Sequence, residues 1–259
     1  MAATCGMTML AGAHAQSALP LDIHRQAVDV TRYPWSAIGK LYNETGGACT
    51  AVIVARDKVL TAAHCIYNER TRRFISAEAL HFLVGYRSGN YRVHARVASY
   101  VIGAGFDRQR YNATSSADWA LLNLETPLPA EIEPLRLSSN PAPSGTKAVI
   151  AGYPQDRAFA MTADADCELR GQIDGGKLVT HTCRGVAGYS GAPILIGTGA
   201  SVEIAGIQIA SANGDGWQMM LAVPARTVQQ ALLDDSDKPS ALFAVNNMAG
   251  SAYGTYAFG

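Results

Sequence analysis

The sequence predicts an all-β chain that closes on a single helix, with its strands divided between two halves. Apolar residues recur with a period of two, as in Tyr91, Val93, Ala95, Val97 and Val101, which alternate with Arg92, His94 and Arg96. Only residues 224–233 carry a helical pattern, with proline in the first turn and Val228, Ala231 and Leu232 on one face. The turn-rich run Ser138-Ser-Asn-Pro-Ala-Pro-Ser-Gly145 lies near the middle and reads as a linker between the halves.

In chain order, β-rich runs occur at 51–55, 81–84, 91–101, 119–124, 147–151, 194–196, 202–209 and 218–223. Their branched and aromatic side chains suit a pleated, half-buried surface. Turn clusters at 43–47, 138–145 and 197–200 separate them. The expected organisation is residues 16–137 as a first β unit, 138–233 as a second with the helix, and 234–259 as a tail without periodicity.

The chain has 259 residues, 48% hydrophobic and 16% charged, with 21 Lys+Arg against 21 Asp+Glu. A zero balance leaves no basic surplus to displace counterions from phosphates, so a nucleic-acid partner is excluded. No apolar run approaches the roughly 18 residues of a spanning helix, so no transmembrane helix and no membrane partner are expected. The length is ample for one large β unit or two small barrels.

Residues 1–15 read as a signal peptide: an apolar stretch over 7–13 precedes the small-x-small pattern Ala13-His14-Ala15. Gln16 then opens the exported chain. The first cation is Arg25, so the basic opening of such a signal is missing, which points to a translation start upstream of Met1. Removing this segment removes Cys5 and leaves Cys49, Cys65, Cys167 and Cys183, an even set with three possible connectivities. Both sequential spacings are 16 residues. Disulfides imply an oxidising compartment, so the chain is expected to be secreted or periplasmic. No Cys-x-x-Cys pair suggests zinc.

Three motifs carry chemistry. Thr61-Ala-Ala-His64-Cys65 follows an apolar run and sets an imidazole beside a half-cystine. Ala117-Asp118-Trp119-Ala120-Leu121-Leu122 places a carboxylate at the mouth of an apolar strand. Gly188-Tyr189-Ser190-Gly191-Ala192-Pro193 puts a serine between glycines, where the backbone turns tightly and aims N–H groups at a substrate oxygen. A serine hydroxyl is a poor nucleophile until an imidazole takes its proton, and a carboxylate sets the tautomer of that imidazole. The order His, Asp, Ser excludes an α/β-hydrolase, whose histidine follows the nucleophile.

These residues, with Cys49-Thr-Ala-Val-Ile53 and Val59-Leu60, resemble the trypsin-like (chymotrypsin-fold) serine proteases. Arg32-Tyr-Pro-Trp-Ser-Ala-Ile-Gly39 and Ala151-Gly-Tyr-Pro-Gln-Asp156 suggest the bacterial glutamyl-endopeptidase-like branch. The resemblance implies two antiparallel six-stranded β-barrels with the site between them. It assigns His64 as general base, Asp118 as its orienting carboxylate, Ser190 as nucleophile, and the amides of Gly188 and Ser190 as the oxyanion hole. The expected disulfides are Cys49 with Cys65, pinning the His64 loop, and Cys167 with Cys183, tying the segment before Ser190 to a hairpin through Gly175-Gly176. Protein or peptide substrates, a monomer and no metal or organic cofactor are implied.

Departures from the pattern matter too. Family members activated by a buried N-terminal ammonium carry an aspartate just before the serine, where this chain has Tyr189. Many relatives place a serine after Gly-Ile to support the catalytic aspartate, but here the run is Gly206-Ile207-Gln208-Ile209. The first specificity pocket is expected at 184–187 and 209–211, with Met219 and Met220 behind. The substrate-binding residues are therefore Arg184, Gln208, Ile209, Ala210 and Ser211. Arg184 at the pocket floor predicts poor cleavage after Lys or Arg, and His181 with Arg184 leans towards acidic side chains. The alternatives are a protease homologue that binds without cleaving and an esterase using the same groups.

Overall fold

Residues 25–214 and 217–236 are described in the computed structural model. The expected signal segment and the tail beyond residue 236 lie outside them. The first strand, β1 (Arg25–Ala27), is followed by β2 (Ile38–Asn43), β3 (Ala48–Ala55) and β4 (Lys58–Thr61). A small ribbon of β5 (Tyr67–Asn68) and β6 (Arg73–Phe74) precedes β7 (Leu80–Val84), β8 (Val93–Ile102) and β9 (Ala120–Leu124). Six of these strands close a barrel in the order β2-β3-β4-β9-β8-β7.

The second half contains β10 (Arg136–Leu137), β11 (Lys147–Gly152), β12 (Thr162–Ile173), β13 (Leu178–His181), β14 (Pro193–Ile196), β15 (Glu203–Gly214) and β16 (Trp217–Pro224). The path β12-β11-β14-β15-β16-β13 is closed by pairing of β13 with β12, giving a second antiparallel six-stranded barrel. The C-terminal helix (Ala225–Ser236) starts directly from β16 and buries Val228, with Ala231 and Leu232 packed on the core.

Strand pairing redraws the expected boundary at both ends of the first half. β1 runs antiparallel to β12 and β10 parallel to β15, so both belong to the second barrel's sheet. The crossing is made by buried apolar chain: Leu128, Ile132 and Leu135 are each 1% exposed or less. Leu135 still donates its N–H to Ile53 of the first barrel, and the next residue, Arg136, already pairs with Glu203 of the second. The turn-rich run 138–145 thus lies within the second half. A linker that must stay packed against both barrels is apolar, and composition alone does not mark it.

The alternating run of β8 is also corrected. A bulge between Val97 and Ser99 reverses which side chains face inward. Val101 is consequently 42% exposed, and Tyr91, which precedes the strand, is 51% exposed. Four successive residues of β3, Thr50 to Ile53, are buried on both faces, because the outer face of this strand meets the second barrel.

Candidate active site

A short turn of 3-10 helix, Ala63–Ile66, follows β4 and carries His64. The chain cannot drift there, because Cys65 is joined to Cys49 on β3. Asp118 ends another 3-10 turn, Ser115–Ala117, just before β9, and is fully buried. Since β9 pairs with β4, the two loops open at the same barrel edge. Asp118 Oδ2 lies 2.6 Å from His64 Nδ1, and Asp118 Oδ1 accepts the His64 N–H at 2.9 Å. The carboxylate thus holds both backbone and ring. An ionised carboxylate only accepts, so in the neutral imidazole this contact selects the tautomer with the proton on Nδ1 and the lone pair on Nε2.

Ser190 comes from the second barrel. Its loop is clamped beside Ser190: Gly191 donates to Gln208 O at 2.8 Å, and Gln208 donates to Ala192 O at 2.8 Å. Gly191 has φ +78, and a Cβ there would lie 2.2 Å from Thr61 Oγ1 and 2.3 Å from Thr50 O. The serine loop is therefore pressed directly on the strand end that leads to His64. Gly188 has φ +95 and would meet Tyr153 O at 2.4 Å. Tyr189 N–H is spent on Val186 O, whereas among the described residues the N–H groups of Gly188 and Ser190 have no acceptor.

Thr50 ties the first barrel to the second beside Ser190. It is fully buried, donates its N–H to Ser190 O at 3.0 Å and its hydroxyl to Gly188 O at 2.9 Å, and accepts Tyr153 N–H at 2.9 Å. Its own carbonyl accepts the Thr61 hydroxyl at 2.8 Å. One small residue thus links the histidine strand to the serine loop. The sequence reading passed over it, as it did Tyr111, whose hydroxyl lies 2.8 Å from Asp118 Oδ2 and 3.2 Å from Ile209 O. Neither has a local signature, since their partners lie on other strands.

The sequence pattern of the trypsin family matches residues 25–227. The chain belongs to the trypsin family. Among solved structures, a Glu endopeptidase in complex with MPD matches with a TM-score of 0.69 at 18% identity, covering 82% of this chain and 96% of that one. At that identity the likeness is one of fold.

Both disulfides of this trypsin-family chain pair as expected, Cys49 with Cys65 and Cys167 with Cys183. Cys49, Cys65 and His64 cluster within 4.8 Å, but both sulfurs belong to the disulfide and offer no thiolate to a metal. Tyr189 is fully buried, and its hydroxyl pairs with Thr162 Oγ1 at 2.6 Å, so a phenol fills the position before Ser190. Burial raises this phenol to about 12.

The expected specificity residues separate. Gln208, Ile209, Ala210 and Ser211 all lie on β15, with the first two buried and Ser211 exposed. Arg184 is exposed, its N–H donated to Asp164 Oδ2 at 2.9 Å, so its side chain does not form a pocket floor. His181 is fully buried and lies 2.7 Å from Gln208 Oε1 through Nε2. Gln208 Nε2 donates to Ala210 O at 2.7 Å, which leaves Oε1 as the atom facing His181 and puts the imidazole proton on Nε2. Burial lowers His181 to about 4, so it carries no charge near neutral pH. The expected lean towards acidic side chains through His181 and Arg184 therefore loses its physical basis.

A cleft of ≈ 360 Å³ lies beside His64, lined by Asn43, Cys49, Asn68 and Arg70 from the first barrel and Gln155 from the second. A larger hollow of ≈ 540 Å³ at Gln26, Trp35, Val149 and Ala163 contains none of the reactive groups.

Proposed function

We propose that this chain is a serine endopeptidase that hydrolyses peptide bonds through an acyl-enzyme intermediate. The observation that carries the reading is the 2.6 Å contact between His64 Nδ1 and a fully buried Asp118, reinforced through the His64 N–H. This arrangement fixes the tautomer that leaves Nε2 available as a base. Ser190 Oγ attacks the carbonyl carbon and passes its proton to His64 Nε2, which then returns it to the leaving amine. The developing oxyanion is held by the N–H groups of Gly188 and Ser190, a stabilisation of about 3 kcal/mol per donor. Water enters by the same route and releases the acyl group. The segments expected at the first specificity pocket, 184–187 and 208–211, contain no carboxylate to pair with a cationic side chain, so cleavage after Lys or Arg is expected to be poor. The enzyme acts in an oxidising compartment, outside the cell or in a periplasm, a reading supported by its two disulfides.

A serine-directed phosphonylating probe tests this reading. Labelling is expected at Ser190, absent from Ser190→Ala, and accompanied by peptide cleavage that the variant loses by several orders of magnitude. Labelling without peptide cleavage would favour the esterase reading. No labelling would favour a binding homologue.

A further inference from the structure

The candidate triad is split between the barrels, with His64 and Asp118 on the first and Ser190 on the second. Two side chains bridge the halves at the site: Thr50 on the serine side and Tyr111 on the carboxylate side. Tyr111 opens the four-residue helix α1 (Tyr111–Thr114) in the loop between β8 and β9. Its hydroxyl meets Asp118 Oδ2, the oxygen that faces His64 Nδ1, and also Ile209 O on β15. Ile209 adjoins Gln208, whose carbonyl holds Gly191 beside the nucleophile. A single hydrogen-bonded path therefore runs from the carboxylate, through the phenol, into the strand that positions Ser190.

We propose that Tyr111 is a positioning residue of the active site, supplying Asp118 with its third hydrogen bond and clamping the histidine–carboxylate pair to the strand beside the serine. The proposal rests on the protease reading above. It also explains how Asp118 is supported where the run Gly206-Ile207-Gln208-Ile209 holds no serine.

One phenolic proton faces two acceptors, and the shorter contact to a charged oxygen carries most of it. Burial first, then the Asp118 charge and their hydrogen bond, hold the phenol far above its ordinary range, so it remains a donor wherever His64 acts as a base. The charged groups facing it are Asp118 and Arg108, whose guanidinium lies 4.9 Å from the ring centroid and pairs with Glu69 at 2.6 Å. The rings of His64 and Phe106 meet it edge-on, each with centroids 6.3 Å away. These contacts hold the ring independently of its hydroxyl, which makes the hydroxyl separable by mutation.

In Tyr111→Phe the ring stays and both hydrogen bonds go. A bond to a charged group is lost, so kcat is expected to fall about tenfold with little change in KM. The phenol also draws charge away from Oδ2. Without it the imidazolium is better stabilised, and the acid limb of the pH–rate profile moves up by about half a unit. A merely structural ring would alter melting temperature without moving that limb. Unchanged kcat and acid limb in a folded Tyr111→Phe protein overturn the proposal.

If that variant does not fold, site-specific 3-fluorotyrosine at position 111, a stronger donor, is expected to move the limb to lower pH. An unmoved limb is again contrary. Should the wild-type protein resist the phosphonylating probe, the protease reading fails by itself. The positioning claim is then read from the NMR titration of the His64 ring, which is expected to move up in Tyr111→Phe and contradicts the proposal if it does not.

Discussion

His181 makes the fold acid-sensitive in a way that can be isolated. The ring is fully buried on β13, and burial lowers its pKa from an ordinary value of about 6.5 to about 4. Between those values the unfolded chain binds a proton that the native chain refuses. Stability is therefore fully present above about pH 6.5 and declines as pH falls towards about 4. The whole span corresponds to about 3 kcal/mol, of which about 2 kcal/mol is lost between pH 7 and pH 5. Replacing His181 with Gln preserves a donor towards Gln208 Oε1, the group now 2.7 Å from the ring, and removes the titration. Urea unfolding of both proteins at the two pH values supplies the comparison, and the other histidines cancel in the difference. The wild-type protein is expected to lose about 2 kcal/mol more than His181→Gln on acidification. Equal losses would refute the argument, because they would mean that the buried ring takes up its proton without cost.

Other expectations follow from single residues. Thr50→Val keeps the shape but leaves Gly188 O and Tyr153 N–H without their side-chain partner, so unfolding free energy should drop by about 3 kcal/mol, with unchanged urea midpoints as the contrary result. Replacing both Cys49 and Cys65 with Ser opens a 16-residue connection. The loss of about 3 kcal/mol should lower the melting temperature by about 6–12 °C. Gly191→Ala would drive a Cβ to 2.3 Å from Thr50 O at φ +78, so neither a soluble wild-type-like fold nor labelling at Ser190 is expected. Normal labelling of that variant would show that the loop can move away from β3.

The residues that define the candidate site were readable because each sits in a local context that its own neighbours create. Ser190 lies between glycines that alone tolerate the turn and the close backbone approach. His64 adjoins a half-cystine, and Asp118 borders an apolar strand. Strands with branched apolar residues, such as β14 and β15, were equally visible. β12 was not: its Thr-Ala-Asp-Ala-Asp-Cys-Glu-Leu run has little β propensity, and it is held by pairing with β11, β13 and β1. Its Asp164 is buried because it accepts the N–H groups of Arg184 and Asp166, a role no neighbouring residue announces.

The sequence by itself determined the all-β class, the His, Asp and Ser motifs and the supply of cysteines, since each rests on periodicity or on near neighbours. Tertiary structure decided the Leu135–Arg136 crossing, the outward turn of Arg184, the sealed His181–Gln208 pair and the bridges made by Thr50 and Tyr111. Each of these depends on partners distant in the chain or on which face the folded barrels cover. Hydrogen-bond donors acquire such roles only when packing removes water and leaves a particular acceptor in reach.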